Sequence, residues 1–465
     1  MTVSDLNYER YSPLDNQLIT KYKLARELEV ETAIRKSKEA FEIWSLTTIE
    51  SRGRILRKVA QNLEHYADEI ANLVRIETGK PIQLALNEVA AGAEMAYLMS
   101  AHGRLATGTQ LPSAIKGRQT TVTRVPRGVA ALIVSYNTPI PNYAWKVFPA
   151  LISGNTAILK PSQYTPLSSD YFGKLLLDSG VPQDVLIVLQ GDSITGGLLV
   201  QGDIDLISFT GSSEVGKEIN RLTGGHLKKT ILELGGVNPF IVFADANISQ
   251  ATNAAVQSAF SNAGQRCASG SRILIQESVY EDFAREFLSS SQRLVVGTES
   301  DCDIGTLISP GAAEAFEQYL VSCEKAGGNV ERVGTLQGAS QSSVLPAVIS
   351  NLDFDNPLAK VEIFGPATRL FSFKTEESAI KIANCTSMGL TAAVWTRDSD
   401  LANRVTTLLK CGVININGPT HGSEPNMPFG GFGDSGNGTR EAGVEALDYY
   451  SDLKVVSIFN STSNA

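Results

Sequence analysis

The chain has 465 residues, 43% hydrophobic and 19% charged, which is too long for one hydrophobic core and implies division into lobes. A net charge of −9 argues against a nucleic-acid partner, because phosphate binding needs a concentrated basic surface. No apolar run reaches the roughly 18 residues a spanning helix needs, and the start, MTVSDLNYERYSPLDN, lacks the apolar core of a signal peptide. The expectation is a protein of the cytoplasm with no membrane partner.

From Glu29 to about Ala106 apolar residues recur at helical spacing, as in VETAIRKSKEAFEIW and SRGRILRKVAQNLEHYADEIANLV. From about Thr120 the period changes. GVAALIV, TAILKP, VLIVLQG, DLISFTG and TILELGG are short β-rich runs alternating with helical segments, the signature of a parallel sheet built from βαβ units. A second series runs from NPFIVFAD and SQATNAAVQSAFSNAG through SRILIQ to ATRLFSF, TAAVWT and GVININ, and predicts a second α/β lobe beginning just after Gly236. GRQTTVTRVP and the tail LDYYSDLKVVSIF fit neither lobe. Each reads as a polar, alternating strand in need of a partner, and pairing in an oligomer is the simplest repair.

Several patterns are decoys. GFGDSG (431–436) matches a dinucleotide fingerprint but follows no strand of a βαβ unit, and its GDSG lacks the surroundings of a serine protease. GSSEVGK (211–217) has P-loop glycine spacing, but Glu218 replaces the residue that would hold magnesium. Directly after a strand and opening a helix, it still suits a pyrophosphate. The 5 cysteines, Cys267, Cys302, Cys323, Cys385 and Cys411, form no CxxC pair, and the 4 histidines show no ligand spacing. Neither a disulfide framework nor a metal site is expected.

SNAGQRCASGS (261–271) sets Cys267 among small residues, with Arg266 before it. Taken alone this is more often a core thiol than a nucleophile. Six motifs in order change that reading: SYNTPIPNYAWKVFPALISGNTAILKPS, FTGSSEVG, ELGG, GQRC, EIFGP and PFGGFGDSG. Together they resemble the NAD(P)-dependent aldehyde dehydrogenase superfamily over nearly the whole length, with Glu233 34 residues before Cys267.

The resemblance implies an α/β fold with three parts. A Rossmann-like cofactor domain would take residues 1–113 and 127–235, a catalytic domain 236–445, and a small β oligomerisation element 114–126 and 446–465. It implies Cys267 as nucleophile, Asn137 as oxyanion donor, Glu233 as the base that activates water, and Lys146 as support for proton transfer or for orienting the Asn137 amide. Lys160, Ser162, Gln163, Gly211, Ser212, Leu234, Gly235, Glu362 and Phe364, with the Glu233 backbone, are the implied cofactor contacts. Gln163 stands where NAD-preferring members often carry glutamate, so NADP is expected to be accepted, even preferred, with NAD usable. Tyr136, Asn142, Tyr143, Arg266 and His421 are candidate substrate-pocket residues for a small semialdehyde or an aromatic aldehyde. A homodimer or homotetramer is implied. Two rivals were weighed. A CoA-acylating semialdehyde dehydrogenase typically lacks the ELGG glutamate, and a non-enzymatic structural relative usually has a damaged site.

Overall fold

The computed structural model describes residues 7–102 and 108–459. It opens with an antiparallel hairpin, β1 (Asn7–Tyr11) and β2 (Leu18–Lys23), which the sequence pattern did not predict. A helical layer follows: α1 (Glu27–Trp44), α2 (Ile49–His65), α3 (Ala67–Thr78) and α4 (Ile82–His102). The expected helical run to Ala106 ends at residue 102, and 103–107 lie outside the described residues. The apolar stripe of α2, Leu56, Val59, Ala60 and Leu63, shares one core with Val89, Ala93 and Ala96 of α4. Gly53 permits the close approach, since a Cβ there would stand 2.7 Å from the Ser100 carbonyl.

After β3 (Gly108–Leu111) and β4 (Arg118–Pro126) comes the first 5-stranded sheet, wholly parallel, in the order β7-β6-β5-β8-β9. Its strands are β5 (Val129–Ile133), β6 (Thr156–Lys160), β7 (Leu186–Val188), β8 (Leu206–Thr210) and β9 (Lys229–Glu233). The crossovers are α5 (Pro139–Ile152), α6 (Pro166–Asp178), α7 (Ser193–Gln201) and α8 (Ser213–Gly224). Strand order reverses at β5, where the chain leaves towards β6 and later returns as β8 on the other side. That switch point opens a crevice beyond the carboxyl ends of the strands, the place where such sheets bind ligands.

The second sheet is 7-stranded, in the order β13-β15-β16-β11-β10-β18-β19. It comprises β10 (Pro239–Val242), β11 (Arg272–Gln276), β13 (Asn329–Arg332), β15 (Ala347–Ser350), β16 (Ala367–Phe373), β18 (Thr391–Trp395) and β19 (Val413–Ile416). Only β13 runs antiparallel to its neighbour. Two small pairs flank it, β12 (Val295–Gly297) with β14 (Thr335–Gln337) and β17 (Met388–Gly389) with β20 (Phe432–Gly433). The latter places the GFGDSG decoy on a short antiparallel ribbon. Helix α9 (Ile248–Phe260) crosses from β10 towards Cys267.

The two strands that looked partnerless pair with each other. β21 (Ser451–Phe459) runs antiparallel along all of β4, from Ser451 opposite Pro126 to Phe459 opposite Arg118, and β3 adds a third strand. Within the chain the tail's partner is β4, and β21 stands at the edge of that sheet. Alternation tells that a strand needs a partner but not which one. The element also differs from the expected 114–126 and 446–465. Its third strand lies at 108–111, whereas Leu447 and Tyr450, on the helix Ala446–Tyr450, are buried in the helical core of the first lobe. Residues 460–465 lie outside the described residues.

One carboxylate ties α3 to α6. The N-cap residue of α6, Thr165, makes no side-chain cap bond; buried Glu77 instead accepts from the backbone N–H of Leu167 (2.6 Å) and Ser168 (3.1 Å). Glu77→Ala would leave those donors enclosed and unpaired, costing about 1–3 kcal/mol each. Chemical denaturation should show the variant unfolding at lower denaturant, with Glu77→Gln intermediate.

Candidate active site

The turn between α9 and β11 carries the cysteine, and its backbone is unusual. Asn262 (φ 54°), Ala263 (φ 53°) and Gly264 (φ 67°) are successive left-handed residues, a conformation that costs a non-glycine residue about 1–2 kcal/mol. The surroundings hold it. Asn262 Nδ2 donates to the carbonyls of Asn137 (3.1 Å) and Gln265 (3.2 Å), while the Gln265 side chain donates to Thr306 and accepts from Ile308. A Cβ at Gly264 would collide with the Gly365 carbonyl, so the GQRC and EIFGP motifs touch backbone to backbone.

Cys267 is half-buried in the cleft between the lobes. Its carbonyl accepts from Asn238 Nδ2 (2.7 Å) and lies so close to Gly236 that a Cβ there would clash. Burial pushes its thiol up to about 12, assisted by Glu362 and Glu233, with Arg266 acting the other way. The remaining cysteines lie in other environments. Cys302 Sγ donates to the Gly297 carbonyl, Cys323 lies by Tyr319 and Arg369, and Cys385 and Cys411 lie by Arg272.

Asn137, just past β5, is buried. Its carbonyl accepts from Lys80 Nζ (2.8 Å) as well as from Asn262, and Lys80 is itself paired with buried Glu88. Asn142 Nδ2 approaches Asn137 Oδ1 at 3.4 Å, which orients the amide. Among the described residues, neither Asn137 Nδ2 nor the Cys267 N–H donates to a protein acceptor. Two donors beside the sulfur thus have no protein partner.

Glu233 ends β9, is 4% exposed, and neither carboxylate oxygen has a hydrogen-bond partner. Burial, then the neighbouring Glu441, raise it well above the usual carboxylate range, while Lys146 and Arg440 pull the other way. Lys146 is fully buried on α5 and donates to Glu441 and to Ser208 Oγ (2.9 Å). Among the described residues no hydrogen bond joins it to the Asn137 amide, which Asn142 meets instead. Glu441 escaped the sequence reading, although a lysine inside the apolar run AWKVFPA signals that a buried counter-ion must exist elsewhere.

The candidate cofactor residues gather at the carboxyl ends of the first sheet. Lys160 ends β6; its Nζ donates to the Pro161 carbonyl, it meets no carboxylate within ion-pair distance among the described residues, and burial brings it down to about 8. Ser162 Oγ accepts from the Tyr164 N–H within the same turn. Gln163 Nε2 reaches Tyr8 Oη (3.4 Å), and its carbonyl accepts from Tyr22 Oη (2.7 Å). Gly211 follows β8, and Ser212 caps α8, its Oγ accepting from the Val215 N–H. Leu234 packs against Gly216, and Gly235 lies against Glu362, leaving no room for a Cβ at either glycine. Glu362 accepts from the Gly236 N–H (3.1 Å), and burial raises it to about 7. Phe364 adopts φ 51° and meets Tyr136 edge-to-face at 5.8 Å. A cradle without side chains at a helix start, an unpaired ammonium and an enclosed carboxylate in one crevice fit a dinucleotide.

Of the pocket candidates, Tyr136 Oη lies 3.5 Å from Gln265 Oε1, and Asn142 and Arg266 are partly exposed. His421 lies 3.4 Å from Ser261 Oγ and 3.3 Å from the Gln257 carbonyl, and burial together with Arg266 lowers it to about 4. Tyr143 is a correction. It is fully buried, donates to Thr165 Oγ1 (2.9 Å) and packs on Phe172, because one residue after Asn142 the helix turns its side chain into the core.

A sequence model of the aldehyde dehydrogenase family matches residues 2–456. An aldehyde dehydrogenase of Davidiella tassiana is 34% identical over 458 residues, covering 97% of this chain and 92% of that one. The mitochondrial succinate-semialdehyde dehydrogenase of Oryza sativa subsp. japonica is 35% identical, covering 93% and 82%. The crystal structure of betaine aldehyde dehydrogenase from Staphylococcus aureus in complex with NAD+ superposes with a TM-score of 0.94 at 28% identity, covering 99% and 93%.

The electrostatics around Cys267 predict its reactivity. In the cofactor-free protein, alkylation of Cys267 by iodoacetamide should climb steadily from pH 7 to pH 10 without a plateau. Glu362→Gln removes a negative neighbour and should raise the rate at pH 8; mass spectrometry of the modified peptide reads both.

Proposed function

The chain belongs to the aldehyde dehydrogenase family, an oxidoreductase that oxidises an aldehyde with NAD(P), and from that premise we propose that Cys267 carries the acyl group as a thioester released by water. The observation that carries this reading is Glu233, an enclosed carboxylate with no partner that acts electrostatically on Cys267 and on Glu441. A carboxylate whose proton affinity is raised by burial is a stronger base than an exposed one, which suits it to take a proton from water.

Cys267 Sγ loses its proton to water in the cleft and adds to the aldehyde carbon. The carbonyl oxygen becomes an alkoxide that takes the two unused donors, Asn137 Nδ2 and the Cys267 N–H. Such donors contribute about 3–4 kcal/mol each at a developing oxyanion. Asn262 and Lys80 hold the Asn137 backbone from behind, so the amide is aimed before substrate arrives. When bound, the dinucleotide supplies the hydride acceptor that converts this hemithioacetal into a thioester. Glu233 then takes a proton from water as its oxygen attacks the thioester carbon. The acid leaves, and the thiol returns to Cys267. Glu233 returns that proton to the departing Cys267 sulfur, and Glu441, held by Lys146, stands next to it. The CoA-acylating alternative needs no such base, so Glu233 favours hydrolysis.

Lys160, Ser162, Gln163, Gly211, Ser212, Leu234, Gly235, Glu362 and Phe364 would hold the cofactor. Gln163 presents a neutral amide beside Lys160, and the nearby Asp192 is already engaged by Arg26 at 3.1 Å. Both features lower repulsion towards a 2′-phosphate, which supports NADP use. The chain further assembles as a homodimer or homotetramer in this reading, because Leu453, Val455, Ile458 and Phe459 of β21 are more than half exposed.

Cys267→Ser should abolish aldehyde-dependent cofactor reduction while cofactor binding, followed by fluorescence, persists; undiminished oxidation would refute the nucleophile. Glu233→Gln should release one equivalent of reduced cofactor per site and then turn over about 100-fold or more slowly. A requirement of the wild-type enzyme for CoA would favour the alternative. Gln163→Glu should shift the ratio of kcat/KM from NADP towards NAD by about 10-fold or more, the scale of one charge-assisted contact.

A further inference from the structure

Arg266 has no counter-ion. Among the described residues its guanidinium has no carboxylate within ion-pair distance and donates no hydrogen bond, and its Nε is sealed from solvent without an acceptor. Its terminal nitrogens are neither sealed nor partnered. The nearest acid is Glu88, which is already neutralised by Lys80 in an enclosed pair. Lys80, Glu88 and Arg266 therefore leave one positive charge uncancelled beside the nucleophile. His421, which also faces Arg266, is held neutral and adds no anion. Cys267 adds none at rest, because its thiol is protonated at neutral pH. Glu233 and Glu362 act on the sulfur, not among the groups that act on Arg266.

An enclosed guanidinium without an anion is costly to keep, and its planar fork matches a carboxylate. We propose that Arg266 receives a carboxylate carried by the substrate itself, so that the enzyme oxidises a short ω-oxo acid, a semialdehyde, in preference to an uncharged aldehyde. This rests on the reading of Cys267 as nucleophile. Arg266 and Cys267 are chain neighbours and each acts electrostatically on the other, which suits a substrate that carries its carboxylate close to the aldehyde carbon. The product is a dicarboxylate whose distal group still sits on Arg266.

The test compares 4-oxobutanoate with butanal, which differ by the carboxylate, without CoA. The wild-type enzyme should prefer the oxo acid by about 50-fold or more in kcat/KM, chiefly through KM. Arg266→Gln should reduce that preference at least about tenfold, and Arg266→Lys should fall between. A wild-type ratio near one, a ratio unchanged in Arg266→Gln, or equal losses on both aldehydes would overturn the proposal; the last would assign Arg266 to the thiol or to the fold. Calorimetric binding of succinate and butanoate to the wild-type protein gives a readout independent of turnover. Succinate should bind about tenfold tighter, and equal affinities would overturn the proposal. Tight succinate binding with no oxidation of either aldehyde would instead sink the Cys267 reading.

Discussion

The site depends on close approaches between chain segments that only glycine permits. Gly264 touches Gly365, Gly235 touches Glu362, and Gly236 lies under the Cys267 carbonyl, with no room for a Cβ at any of the three. These contacts, between residues 31 to 127 positions apart, bring ELGG, GQRC and EIFGP into one seam. Side chains long enough to bridge a wider gap would move; peptide groups in van der Waals contact do not. The strained run at Asn262–Gly264 persists because this seam and the Asn262 hydrogen bonds leave no alternative path.

Electrostatically the cleft is built from two enclosed pairs and several unpaired groups. Lys80–Glu88 stands behind Asn137, and Lys146–Glu441 stands behind Glu233. Each pair cancels most of its own charge, so it steadies a neighbour without dominating the field. Among the described residues Glu233, Glu362, Lys160 and Arg266 have no counter-ion within ion-pair distance. A buried polar atom without a partner is expensive in an ordinary core, and both carboxylate oxygens of Glu233 carry that cost beside the nucleophile.

Much of this was legible in the chain itself. Periodicity separated the helical layer from two α/β runs, and the ordered motifs pointed to a cleft containing Cys267, Asn137 and Glu233. Periodicity failed where the answer lay in which strand pairs with which. The tail and 118–126 each read as alternating, and nothing local says that they complete one another. Tyr143 was misplaced because a pocket position one residue from Asn142 looks equivalent in a linear text, while a helix rotates it into the core. Glu441 was missed because it carries no motif and acquires meaning only opposite Lys146, 295 positions away.

The N-terminal hairpin reaches across to the turn after β6, with Tyr22 on the Gln163 carbonyl and Tyr8 beside its amide. In the proposed cofactor site, the wall at the adenosine end is thus assembled from two chain regions, only one of which belongs to the parallel sheet. Selection for one dinucleotide over the other can therefore act on residues before the first helix, and grafting the cofactor sheet without that hairpin would transplant an incomplete recognition surface.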